Sequence, residues 1–235
     1  MTGGNWQAFG VVPYCEGLGI QERVAAERAR GNRPDTLLLL EHPPTITLGR
    51  RASEGDVLWH ACDLERSGIT VERVGRGGRA TYHGPGQLVG YPIARLSCHG
   101  RGVRRFVAGL EGVLADVARR FGVVASARVG HPGVWVGAKK LGSIGIEIRG
   151  GVSRHGFALN VDMDLAPFQA IVPCGMPGLE TTDLSREAGT KISIAAATGA
   201  LLAAWQARFG ILEEEAAYGC DDCQGECNDG FEAAR

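Results

Sequence analysis

The chain has 235 residues, 44% hydrophobic and 22% charged, which is ample for a sizeable core in one large domain or two small ones. No apolar run approaches the roughly 18 residues that span a bilayer, and the opening MTGGNWQAFGVVPYC lacks the basic-then-apolar order of a signal peptide, so a cytoplasmic location is expected. The net charge of −1 hides an asymmetry: eight acids against Arg235 alone from Glu213 onward leave 24 bases against 18 acids in residues 1–212, a balance that favours acidic partners, whether nucleic acid or acidic carrier proteins.

NWQAFGVV predicts a strand, and residues 17–30 are compatible with a helix. DTLLLLEHPPTITLG predicts two short strands parted by Pro43 and Pro44. Over 102–122 the apolar residues Val103, Phe106, Val107, Leu110, Val113, Leu114, Val117 and Phe121 recur at helical spacing, with Gly122 as a suitable stop. Four strands are then expected, at VVASARV, GVWVG, KKLGSIGIEIR and RHGFALNV, followed by a helix over 192–209. Elements mixed in this way favour an α+β fold on a mixed or antiparallel sheet with packed helices. The expected layout is one domain over 1–212 and a mobile acidic tail over 213–235.

Three features could carry chemistry. GRGGRATYHGPGQ, residues 75–87, lacks phosphate-loop spacing; it reads either as a flexible hairpin end or as a pocket wall in which backbone approaches a ligand. IVPCGMPG sets Cys174 in a loop stiffened by proline and glycine, where a thiolate could be exposed. In GAKKLGSIGIEI, strict alternation puts Lys140 in phase with Ile144, Ile146 and Ile148 on the apolar face, where burial lowers an amine's pKa, and puts Lys139 in phase with Ser143 and Glu147. Only Lys139, Lys140 and Lys191 are lysines among 25 basic residues, and arginine could not give up a proton in place of Lys140. Cys220, Cys223 and Cys227 have metal-like spacing but no fourth ligand nearby, so no metal is expected. The remaining cysteines, Cys15, Cys62 and Cys98, read as small buried hydrophobes.

Taken together, LLLLEHPPTITLGRR, RGGRATYHGPGQLVGYPI, GVWVGAKKLGSIGIEI with SRHGFALNV, and PCG resemble the octanoyltransferases of protein lipoylation, in that family's order and over about residues 6–210. The resemblance implies a single domain with the biotin and lipoate protein ligase fold, akin to class II aminoacyl-tRNA and biotin synthetases. It implies transfer of an octanoyl group from acyl carrier protein to a lysine of lipoyl domains, through an acyl-cysteine thioester and without a cofactor. The acceptors would be the acyltransferase subunits of 2-oxoacid dehydrogenases and the glycine cleavage H protein, with no nucleic-acid or membrane partner. By position it makes Cys174 the nucleophile and Lys140 the group that activates it. Acyl binding would fall on Arg76, Gly77, Gly78, Arg79, Ala80, Thr81, Tyr82 and His83, on Ser143, Ile144 and Gly145, and on Gly156, Phe157 and Ala158. Within the glycine run, His83 and Arg76 would supply polar edges to the pocket. Arg79 and Ala80 depart from the family's acidic or amide residue followed by a β-branched one, and Phe157 stands where leucine is also common. Two other readings stay open at this point: an ATP-dependent lipoate or biotin protein ligase on the same fold, and a catalytically silent carrier-binding or nucleic-acid-binding module.

Overall fold

The computed structural model describes residues 4–96 and 102–215. Among the described residues, eleven strands and five α-helices form one large sheet and one small sheet with helices packed against them. The large sheet contains β1 (Gly4–Val11), β2 (Thr36–Glu41), β6 (Gln87–Ile93), β7 (Ser126–Arg128), β8 (His131–Val136), β9 (Lys139–Arg149), β10 (Val152–Asn160) and β11 (Leu212–Glu214). Its order is β11-β1-β2-β6-β10-β9-β8-β7; the pairs β11–β1 and β1–β2 are parallel and all others antiparallel. The expected mixed sheet is therefore present.

Both faces of this sheet are covered, and β2 shows why its sequence is LLLL. Leu37 and Leu39 enter the core beneath α3 (Val103–Arg120) and α5 (Ile194–Phe209), while Leu38 and Leu40 pack on the opposite side with Ile20 and Val24 of α1 (Tyr14–Arg30). A strand covered on both faces reads as a continuous apolar run because neither face meets water. On α3 the stripe Phe106, Leu110, Val113, Leu114, Val117 is buried as its spacing predicts, and Gly122 follows with φ 77°.

The small sheet, β4-β3-β5, is built from β3 (Thr45–Leu48), β4 (Thr70–Arg73) and β5 (Ala80–His83), with α2 (Ala61–Arg66) beside it. Ile46, Leu48, Leu64, Ile69, Tyr82 and Phe168 form a separate core here. Two expectations need correction. The run 75–87 is not simply a loop, because its centre pairs with β3 from His83↔Thr45 to Ala80↔Leu48. VVASARV contributes only the three residues of β7. The remaining short helix is α4 (Leu184–Ala188), whose first turn is capped by the Asp183 side chain accepting from Arg186 N–H at 2.8 Å.

At the chain's far end, β11 extends ordered pairing to Glu214, and the Glu215 carboxylate accepts from Arg33 at 2.5 Å and Asn5 at 2.9 Å. The acidic stretch expected to be mobile from residue 213 thus begins as a sheet edge. Its cysteines, Cys220, Cys223 and Cys227, and also Cys98, lie outside the described residues. Among the described residues no helix is long and apolar enough to cross a membrane.

Candidate active site

Where β9 and β10 of the large sheet meet β5 of the small one, they leave a cavity of about 240 Å³. Cys174 and Lys140 stand together at its wall. Lys140 Nζ donates to Cys174 Sγ at 3.0 Å and to the Pro132 carbonyl at 3.1 Å, and it lies 5.0 Å from the Trp135 ring centroid. Lys140 is 4% exposed, whereas Lys139 is 49% exposed and pairs with Glu187 at 3.5 Å.

The two lysines separate as the sequence predicts, but for another reason. Pairing of β9 with β8 shifts from Val134↔Gly142 to Trp135↔Lys140, which leaves Leu141 as an extra residue. Leu141 therefore packs in the same core as Ile144, Ile146 and Ile148. Strict alternation would have placed Lys140 in phase with those isoleucines; the bulge puts it in phase with Ser143 and Gly145 instead, at a cavity that Ile144 and Ile146 also border.

Cys174 is half-buried in a one-turn helix, Pro173–Gly175, with φ 56° and ψ 13°. Among the described residues only His155 (φ 55°) is another non-glycine with positive φ, and it lines the same cavity. Such a conformation costs on the order of 1–3 kcal/mol and persists where its surroundings impose it, which is characteristic of functional sites.

The floor of the cavity is a directed hydrogen-bond network. Arg76, buried, donates from Nε and Nη2 to Thr47 Oγ1 at 3.2 and 2.7 Å, and from Nη2 to the Thr47 carbonyl at 2.6 Å. The Thr47 hydroxyl thus has its proton left for His83 Nε2, 3.3 Å away. His83 Nδ1–H then donates to Gln87 Oε1 at 2.8 Å, and Gln87 Nε2 donates to Asn160 Oδ1 at 2.9 Å. Both nitrogens of His83 are committed, and burial pushes its pKa well below the ordinary value, so the ring is neutral with its proton on Nδ1. Beside it, His42 Nδ1–H donates to the Val12 carbonyl at 2.6 Å, which leaves Nε2 to accept from the Tyr91 hydroxyl at 2.6 Å. Tyr14 hydrogen-bonds Tyr91 and lies 3.5 Å from His155 Nδ1. Burial lowers the pKa of His42 and His155 to about 4 and raises that of Tyr14 to about 12. Among the described residues no carboxylate lies within ion-pair distance of Arg76, which makes it a buried cation held by neutral partners alone.

Of the residues expected to bind an acyl group, Arg76, Gly77, Gly78, Arg79, Ala80, Thr81, His83, Ser143, Ile144, Gly145, Gly156, Phe157 and Ala158 all line the cavity. Tyr82 does not. Alternation along β5 turns it into the second core, with its ring centroid 5.4 Å from that of Phe168. His83, expected to offer a polar edge, offers none because both of its nitrogens are bonded within the protein. Phe157 finds room because its ring crosses Gly90, where a β-carbon would come within 2.1 Å of it. Sequence reasoning missed Tyr14, Tyr91 and His155. The last two lie inside the quoted signatures, but nothing local signals that they meet across the sheet.

The family model of the lipoyl protein ligase A/B catalytic domain matches residues 13–206. The octanoyltransferase of Geobacter sulfurreducens is 48% identical over 190 residues, 81% of this chain and 78% of its own. That of Chloroflexus aurantiacus is 47% identical over 198 residues, 83% and 89% of the two chains. Among solved structures, lipoate-protein ligase A bound with ATP matches with a TM-score of 0.74 at 18% identity, covering 92% of this chain and 90% of that one. A bi-partite lipoate protein ligase from Thermoplasma acidophilum matches at 0.75 with 19% identity, covering 94% and 89%. At such identities the structures speak for the fold alone; with relatives at nearly half identity over four-fifths of its length, the chain belongs to the octanoyltransferase family.

Proposed function

We propose that this chain transfers an octanoyl group in protein lipoylation by way of a thioester on Cys174, with Lys140 as the proton carrier. The observation that carries the reading is the 3.0 Å contact between Lys140 Nζ and Cys174 Sγ at a cavity whose lining combines polar side chains such as Arg76 and His83 with apolar ones such as Ile144, Ile146 and Phe157. Lys140 takes the thiol proton, and the sulfur attacks the carbonyl carbon of the donor thioester. As the tetrahedral adduct collapses, the carbon–sulfur bond to the carrier breaks and Lys140 returns the proton to the leaving thiolate. In the second half the acceptor lysine's neutral amine attacks the Cys174 thioester and loses a proton by way of Lys140, and the amide forms as Cys174 departs. Thioester to thioester is nearly balanced and thioester to amide runs downhill, so no ATP is called for.

Each adduct carries an oxyanion that needs a donor. The Gly175 and Met176 amides close turns onto the Val172 and Pro173 carbonyls, and the Gly77 amide donates to Ile146 O, so these are occupied. Gly78 lines the cavity and its amide donates no backbone hydrogen bond among the described residues, so we assign it this role. The finer identities, octanoyl acyl carrier protein as donor and the lipoyl domains of 2-oxoacid dehydrogenases and of the glycine cleavage H protein as acceptors, rest on the family. The exposed Arg51 and His131 at the cavity suit acidic proteins of that kind.

Incubation with octanoyl carrier protein in the absence of ATP, followed by intact-mass and peptide analysis, tests the reading. One octanoyl group on Cys174, lost on addition of a lipoyl domain, is expected. Transfer that requires ATP, or full transfer by Cys174→Ala, would overturn it.

A further inference from the structure

Residues on either side of Cys174 are fastened to different parts of the molecule. Upstream, Val172 N–H donates to the Asp56 carbonyl at 2.8 Å and Leu58 N–H to Ala170 O at 2.8 Å, a short antiparallel ladder with Val57 bridging Ile171. Downstream, Lys140 N–H donates to Glu180 O and Thr182 N–H to Lys140 O, both at 2.9 Å. Between these anchors, the backbone hydrogen bonds of residues 173–179 are turns within the loop itself, such as Gly175 N–H to Val172 O. Turns of that kind do not fix the loop against Lys140.

A side chain from β5's approach does. A β-carbon on Gly175, which has φ 73°, would lie 2.4 Å from Arg79 Cδ and 2.8 Å from Nε, so the arginine stem rests on the bare face of that glycine. The guanidinium is itself held in a fork, Nε to Asp56 Oδ2 at 2.9 Å and Nη2 to Asp56 Oδ1 at 2.6 Å, with Ser53 Oγ at 3.1 Å from Nη2. Asp56 is 1% exposed and its Oδ2 also accepts from Ser53 N–H at 3.1 Å. One residue, Asp56, therefore holds the loop twice: its carbonyl through Val172 and its carboxylate through Arg79.

We infer that Arg79, gripped by Asp56, is a positioning residue that presses on Gly175 and so keeps Cys174 in its left-handed conformation against Lys140. The inference rests on Cys174 as the nucleophile. The charge of Arg79 is balanced within the fork, so geometry is what it contributes, and lysine, with a point charge and no fork, cannot replace it.

The test uses the full chain with Arg79→Ala and Arg79→Lys, and reads single-turnover acylation together with peptide-resolved alkylation by iodoacetamide, with exposed Cys62 as the internal standard. Both variants should lose acylation by about a hundredfold, the scale of a small misplacement of a reacting group. Alkylation of Cys174 should fall several-fold as the thiol drifts from its proton acceptor, while that of Cys62 holds. Asp56→Asn should match Arg79→Ala and add nothing to it in the double variant; if it does not fold, the two Arg79 variants decide alone. Wild-type rates in Arg79→Ala, full rescue by lysine, or lost acylation with unchanged Cys174 alkylation would each overturn the inference. Transfer by Cys174→Ala would instead overturn the nucleophile, which the alkylation readout does not presuppose.

Discussion

The two sides of the cavity are built on opposite principles. On its floor Thr47, His83, Gln87 and Asn160 bond one another until their polar valences are filled, and Arg76 is fixed to Thr47 and Gly77. At the wall Cys174 is half-buried, strained and touched at sulfur by Lys140 alone among the hydrogen-bonding partners described. Sequence reasoning assigned the reactive role to Cys174 and only a polar edge to His83. A group that reacts must keep a valence open, and His83 has none. On the proposed mechanism, the floor gives rigidity and shape and the wall gives the chemistry.

That division can be broken most decisively at Lys140. Lys140→Arg keeps a positive charge near the sulfur but cannot shuttle a proton, so release of the acyl group to the acceptor amine should fall by roughly 10²–10⁴-fold. Acylation by the donor should fall less, since part of the thiolate survives. Lys139→Arg should be nearly neutral, because that side chain is half exposed and its ion-pair partner among the described residues is Glu187. Single-turnover measurement of both halves checks this; equal rates for Lys140→Arg and the native protein would remove Lys140 from proton transfer.

His83→Ala probes the opposite side. It strands the Thr47 hydroxyl and the Gln87 carbonyl in a buried network, a loss of about 2–4 kcal/mol. Urea unfolding should show that loss, while the folded fraction should acylate Cys174 far better than Lys140→Arg does. An acylation defect equal to that of Lys140→Arg, with native stability, would mean the floor takes part in the chemistry.

How much of this was legible in the sequence follows the same line between local and distant. The α3 stripe and the doubly buried LLLL strand are local patterns, and they could be read directly. Cys174 announced itself by its Pro and Gly neighbours, but its left-handed φ and its clamp come from residues 56 and 79, far away in the chain. Lys140 was correctly expected to be buried from its phase with Ile144, yet the bulge at Leu141 sends it to the cavity rather than to that core. β5 was hidden because four residues among glycines carry little strand signal until β3 pairs with them. Tyr14, Tyr91 and His155 were invisible as a group for that reason too.

A subtler probe of the floor is pH. Burial holds His42 and His155 near pKa 4 and His83 well below its ordinary value, so all three stay neutral in the folded protein. The unfolded chain takes up their protons as pH falls through about 6.5. Stability is therefore full above that value and declines between about pH 6.5 and 4, at about 1.4 kcal/mol per histidine per pH unit. Asp56, held low chiefly by its hydrogen bonds from Arg79, contributes stability that is lost only below the ordinary carboxylate range. Asp183, raised by burial, works in the opposite sense as pH falls through its folded pKa. Urea midpoints at pH 7.5, 6.0 and 5.0 should fall together, and His42→Gln should flatten the slope by one histidine. A level profile over that range would mean the floor admits protons.

The smallest effect expected lies farthest from either side, at the sheet edge. Truncation after Leu212 removes Glu213, Glu214 and Glu215, and with them most of the β11 pairing to β1 and the Glu215 partner of Arg33. Arg33 is buried and keeps Glu27 at 3.1 Å, so its charge is not left bare. Glu215 is 34% exposed, and solvent screening keeps that ion pair to about 1 kcal/mol or less. For a chain of this size such a loss lowers Tm by roughly 2–4 °C. Truncation after Glu215 retains both the strand and the pair, and its Tm should match that of the full chain. Acyl transfer should be the same in all three proteins, since Glu213, Glu214 and Glu215 do not line the cavity. If the two truncations melt at the same temperature, the edge strand adds nothing to stability; if either loses transfer, the C-terminal stretch reaches the site by a route that neither the floor nor the wall provides.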